Sequence, residues 1–167
     1  MDSPGAAGAL AAGGPAEAGD ATMRLPFFMP KIDHDRVVAA IRAAEAKTSG
    51  EIRVLVARHK ASDPIAAAQA YFQKMGMAAS PHRNGVLIFV APRSRNFAVV
   101  GDTGVHEKCG DPFWTGLAEA MGGYFSRGSF TEGIVHGIDR AGDLLEKTFP
   151  RTAGDASAGA PSVTEVD

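Results

Sequence analysis

The stretch Asn84-Gly-Val-Leu-Ile-Phe-Val-Ala91, followed four residues later by Asn96-Phe-Ala-Val-Val-Gly101, leaves few folds open to this chain. Val86 to Ala91 carries no polar side chain, as a strand covered on both faces requires. Pro92-Arg-Ser-Arg95 is too short for a crossover, so Asn96 to Gly101 must return antiparallel as a hairpin partner. Upstream, Glu51-Ile-Arg-Val-Leu-Val-Ala-Arg58 reads as a strand with Ile52, Val54 and Val56 on one face. Asp63-Pro64 then opens a helix whose apolar stripe is Ile65, Ala68, Phe72 and Met75. Strand, helix and strand in that order make a crossover, which predicts that the first two strands run parallel.

Three further helices complete the pattern. Asp33 can cap the first, with Val37, Ile41 and Ala44 at helical spacing, Ile32 stapled onto Val37 and Gly50 as the stop. Asp111-Pro112 repeats the cap-and-proline signal before Trp114, Leu117, Met121 and Tyr124. Thr131 is expected to cap the last helix, whose inner face is Ile134, Ile138, Ala141 and Leu145. The predicted fold is an α/β three-layer α/β/α sandwich. Its small mixed sheet is a parallel β-α-β unit plus an antiparallel hairpin strand, flanked by about four helices.

Composition sets the boundaries. Residues 1–29 begin in Ala/Gly-rich sequence and are expected to form a disordered tail, with Met23 an alternative start to Met1. Residues 30–150 form the predicted domain, and 151–167 are poor enough in large apolar residues to be read as a second disordered tail. No apolar run reaches bilayer-spanning length and no basic, apolar leader is seen, which makes a cytoplasmic or membrane-peripheral location the default. A net charge of −2, with no basic stripe, argues against nucleic acid as a partner. The lone Cys109 cannot form an internal disulfide and lacks the setting of a catalytic thiol.

The topology also predicts where the polar residues meet. If the third strand runs opposite to the first two, Glu51, Asn84 and Asp102 share one sheet edge. The loop beyond Asp102 carries His106 and Glu107, and Asp111 closes it. Four carboxylates and an imidazole would then converge, and such a group repels itself unless a proton or a cation intervenes. Each residue also has a structural reading. Asp111 serves as a helix cap, Asp102 and Asn84 as turn residues, Glu51 as the partner of Arg53, Arg83 or Lys108, and His106 as an exposed loop histidine. Gly101-Asp-Thr-Gly104 lacks the lysine and spacing of a phosphate-binding loop.

Thr48-Ser-Gly-Glu-Ile-Arg-Val54, the Asn84 hairpin to Gly101, the Gly104 segment to Asp111, and Phe125-Ser-Arg-Gly-Ser-Phe-Thr-Glu-Gly-Ile134 together resemble the TPM domain. This family includes thylakoid-lumen photosystem II maintenance proteins, a nematode acetylcholine-receptor modulator and bacterial relatives. The resemblance implies an α/β/α sandwich and, in some members, divalent cations, commonly calcium, near the loop after the hairpin. An acid phosphatase activity is attributed to some members. Many relatives read Gly-aromatic-Gly-Leu-Glu where this chain reads Asp102-Thr-Gly-Val-His106, and an imidazole there suits zinc or manganese better than calcium.

The resulting expectation is a noncatalytic accessory or interaction module with an unidentified protein partner, binding a divalent cation through Asp102, Asp111, Glu51, His106 and Glu107. The alternative is a metal-dependent phosphatase acting on phosphate esters.

Overall fold

The computed structural model describes residues 10–11, 31–152 and 163–166. Among these, a five-stranded sheet has the order β1-β4-β3-β2-β5, with β1 Leu10–Ala11, β2 Glu51–Ala57, β3 Gly85–Ala91, β4 Asn96–Gly101 and β5 Val163–Val166. β2 and β3 are parallel, and β4 returns antiparallel to β3. The hairpin closes through a single turn at Pro92–Ser94 and Arg95 in the left-handed region. Four helices flank the sheet: α1 His34–Glu45, α2 Pro64–Lys74, α3 Thr103–Ser126 and α4 Phe130–Thr148.

The strand alternation divides the core in two. Ile52, Val54, Val56, Val86, Ile88, Val90, Phe97 and Val99 face α1, α3 and α4. Leu55, Leu87, Phe89, Ala98 and Val100 face α2, chiefly Phe72 and Ala68. β3 is buried along its whole length, as its uninterrupted apolar sequence requires, and each large side chain so covered contributes about 2 kcal/mol. The result is the three-layer α/β/α sandwich, with three helices on one face and one on the other.

Asp33 accepts from the Arg36 N–H and Asp63 from the Ala66 N–H, so both predicted caps form, with Pro64 in the first turn. Three local expectations are corrected. Thr131 does not cap α4. Ser129 stands at the cap position, and the Thr131 hydroxyl turns inward to accept from the Asp33 N–H at 3.0 Å, joining the starts of α1 and α4. The segment after Asp102 is helical, because α3 starts at Thr103 and is broken only at Gly110, whose φ of 72° interrupts it just before Pro112. Asp111-Pro112 therefore restarts a helix instead of opening one.

Third, the expected disordered tails contain strand at two places. Leu10–Ala11 pairs with Val99 and Ala98 of β4, and Val163–Val166 runs parallel to β2. An uncharged sheet edge recruits any extended segment within reach, which composition averaged over a whole tail does not register. The remaining residues of 1–29 and 151–167 lie outside the described residues, apart from Arg151 and Thr152.

One buried carboxylate escaped the sequence reading. Glu45, at the end of α1, accepts from the Ile52 N–H at 2.8 Å. Burial raises its pKa above the ordinary 4.5 despite that hydrogen bond. Its contribution to stability is therefore complete below the unfolded-state value and lost as pH rises through the folded-state value. Glu45→Gln keeps an acceptor without a buried charge. It is expected to melt at or above the wild-type temperature at neutral pH, with the advantage shrinking toward about pH 4. Thermal unfolding at both pH values checks this, and a glutamine variant less stable at neutral pH would refute it.

Candidate functional site

The starts of β2 and β3 and the end of β4 share one edge, because Glu51 pairs with Gly85 and Val86 with Gly101. Asp102 follows directly, its N–H donating to the Gly85 carbonyl at 2.9 Å. The Asp102 side chain is fully buried. Its Oδ1 accepts from the Thr103 N–H at 2.7 Å, capping α3. Arg83 grips both carboxylate oxygens, Nε to Oδ2 at 2.8 Å and Nη2 to Oδ1 at 2.8 Å. Such a bidentate, charge-assisted pair is among the strongest polar contacts available. The same hydrogen bonds push the Arg83 pKa further up.

The backbone is shaped to deliver this guanidinium. Arg83 has φ 51°, an uncommon conformation for a residue with a Cβ. The loop carrying it rests on Gly104, where a Cβ would lie 2.4 Å from the His82 carbonyl oxygen and 2.6 Å from that of Arg83. Asn84, also buried, accepts from the Ser80 hydroxyl at 3.0 Å and reaches Ser49 Oγ with its Nδ2 at 3.2 Å. It is thus a buried bridge between the ends of two strands.

The other candidate residues disperse. Glu51 turns along its own strand to Arg53, with Oε2 2.8 Å from Nε. His106 lies on the first segment of α3, where its Nδ1 accepts from the buried Trp114 Nε1–H at 3.2 Å. That bond assigns the proton of the neutral imidazole to Nε2, which lies 3.7 Å from Asp111 Oδ1. Asp111 and Glu107 are exposed. The expected convergence of four carboxylates and an imidazole therefore reduces to an Arg83–Asp102 pair with the carboxylate buried and an open His106–Asp111 pair.

A structural zinc site uses four ligands, a catalytic one three, and calcium takes six to eight oxygens. Among the described residues no group of three or more His, Cys, Asp or Glu side chains could hold a metal ion. The donors as arranged do not fit a resident cation. The charge that Asp102 needs comes from Arg83, a residue the sequence offered as a partner for Glu51. Its position just before Asn84-Gly85, on the edge where Asp102 ends, was the available signal. Cys109 is partly buried, and burial raises the pKa of its thiol, the opposite of an activated nucleophile.

No helix among the described residues is long and apolar enough to cross a membrane. No curated protein matches the chain. Among solved structures, the chain is similar to the NMR structure of the BA42 protein from the psychrophilic bacterium Bizionia argentinensis. The two are 35% identical, with a TM-score of 0.72 over 79% of this chain and 91% of that one. A family model described as the TPM domain matches residues 28–144, from before α1 into α4 and across the whole β2-β3-β4 sheet and its polar edge. On the agreement of that match with the sheet order and the structural likeness, this chain belongs to the TPM domain family.

Proposed function

We propose that this chain is a noncatalytic accessory or interaction module whose partner is another protein. The supporting observation is the state of Asp102. The carboxylate best placed to hold a metal or activate water is buried, has both oxygens bonded to Arg83 and caps α3. Freeing it for chemistry would leave a buried charge without its partner, at a cost of several kcal/mol. The fold uses the residue to hold two strands and a helix together.

A phosphatase built on this edge would also need a free cationic clamp for the phosphate, and Arg83 is committed to Asp102. On this reading a divalent cation is confined to loose, largely water-ligated contact with His106 and Asp111, beside the exposed Glu107. Phosphate-ester hydrolysis by the purified chain is expected to be indistinguishable from that of Asp102→Asn. Turnover that disappears in an Asp102→Asn protein still unfolding cooperatively would overturn the noncatalytic reading. Calcium, magnesium, manganese and zinc at millimolar levels are expected to leave the melting temperature nearly unchanged. A gain of several degrees that His106→Ala abolishes would establish a resident cation instead.

A further inference from the structure

β2 is paired on both sides, by β3 and by β5. In the outer ladder Val54 faces Val163, Leu55 Thr164, Val56 Glu165 and Ala57 Val166, and the Arg58 N–H extends it to the Val166 carbonyl at 2.7 Å. Val54 to Ala57 contains no charge and no proline, the usual devices that keep a sheet edge from pairing with other chains. Without β5 it would be an open strand-pairing template.

The covering segment is short and makes side-chain contacts of three kinds. Val163 packs against the core on one face of the sheet and Val166 against the core on the other. Glu165 bonds Arg58, with Nε to Oε1 at 2.8 Å, and also lies 3.0 Å from His34 Nε2 at the start of α1. Arg58 lowers the Glu165 pKa, with His34 adding to the effect. The edge thus reads a pattern of valine, any residue, an acid and valine, added parallel to β2.

We propose that the β2 edge is a strand-acceptor site for an extended segment of a partner protein carrying that pattern, and that residues 163–166 occupy it in cis as a competing, displaceable strand. The proposal deepens the interaction-module reading by naming its surface. Parallel strand addition supplies affinity through the backbone ladder, and the two valine seats and the Arg58–His34 pair supply specificity. Tethering gives the cis segment an effective concentration on the order of millimolar, so an outside segment enters by exceeding that at equal intrinsic affinity or by binding correspondingly more tightly.

The test uses the full chain with the cis strand released by Val163→Asp and Val166→Asp, or separately by Thr164→Pro, each checked for cooperative unfolding. The probe is a fluorescein-labelled synthetic peptide with the sequence of residues 161–166, followed by anisotropy. Either released chain is expected to bind it at least tenfold more tightly than wild type. The peptide bearing Glu165→Lys is expected to lose about tenfold, and a released chain with Arg58→Glu to regain that loss. Equal peptide binding by wild-type and released chains, with hydrogen exchange showing the Leu55 to Ala57 amides uncovered, would overturn the proposal. Hydrolysis plays no part in this readout, so the acceptor site and the noncatalytic reading fail separately.

Discussion

Arg83→Ala is expected to destabilise the protein by about 3–4 kcal/mol, because it strands a carboxylate with no exposed surface. In a domain of this size that lowers the melting temperature by roughly 10 °C. Asp102→Asn should cost clearly less. The amide keeps an oxygen to cap α3, and Arg83, about one-third exposed, can turn to water once its partner is neutral. The two halves of one ion pair thus differ in cost because only one of them is sealed. The double variant Arg83→Met/Asp102→Asn, which leaves no buried charge, is expected to recover a large part of the Arg83→Ala loss. Thermal and denaturant unfolding of the four proteins decides the matter. Equal costs for the two single variants, or no recovery in the double, would mean that Asp102 is not held by Arg83 in solution.

This ordering also explains how much of the site could be read in advance. The shared edge of Glu51, Asn84 and Asp102 follows from strand alternation and crossover length, both written locally in the chain. The choice of counter-charge for Asp102 is not local. The sequence offered Arg53, Arg83 and Lys108 as partners for Glu51 and named none for Asp102, and two tertiary facts bring Arg83 to it: its left-handed φ and the lack of a side chain at residue 104. The first segment of α3 was hidden for a related reason. Gly104 and Gly110 read as loop punctuation, yet Gly104 permits a close backbone approach and Gly110 supplies the break between helical segments. β5 was obscured differently. Val163-Thr-Glu-Val166 is rich in β-branched residues but puts one valine on each face, so it shows no alternation; the stronger signal was the bare Val54–Ala57 edge that something had to cover.

Gly104→Ala should cost nearly as much as Arg83→Ala, about 3 kcal/mol, although it removes no contact. Its Cβ would sit within 2.6 Å of two carbonyl oxygens, those of His82 and Arg83, and backbone cannot give way as the end of a flexible side chain can. The loop must lift, and the guanidinium lifts with it. The two substitutions therefore damage one device. In a double-mutant cycle their effects are expected to fall short of additivity by more than about 1 kcal/mol, because once Arg83 is gone the displaced loop has less left to lose. Gly116→Ala, in the middle of α3 with nothing within 4 Å of the added carbon, is the control and should be neutral or slightly stabilising. Additive costs for Gly104→Ala and Arg83→Ala would separate the close approach from the ion pair. A shortfall would show that a missing side chain at residue 104 is what lets Arg83 neutralise the buried aspartate.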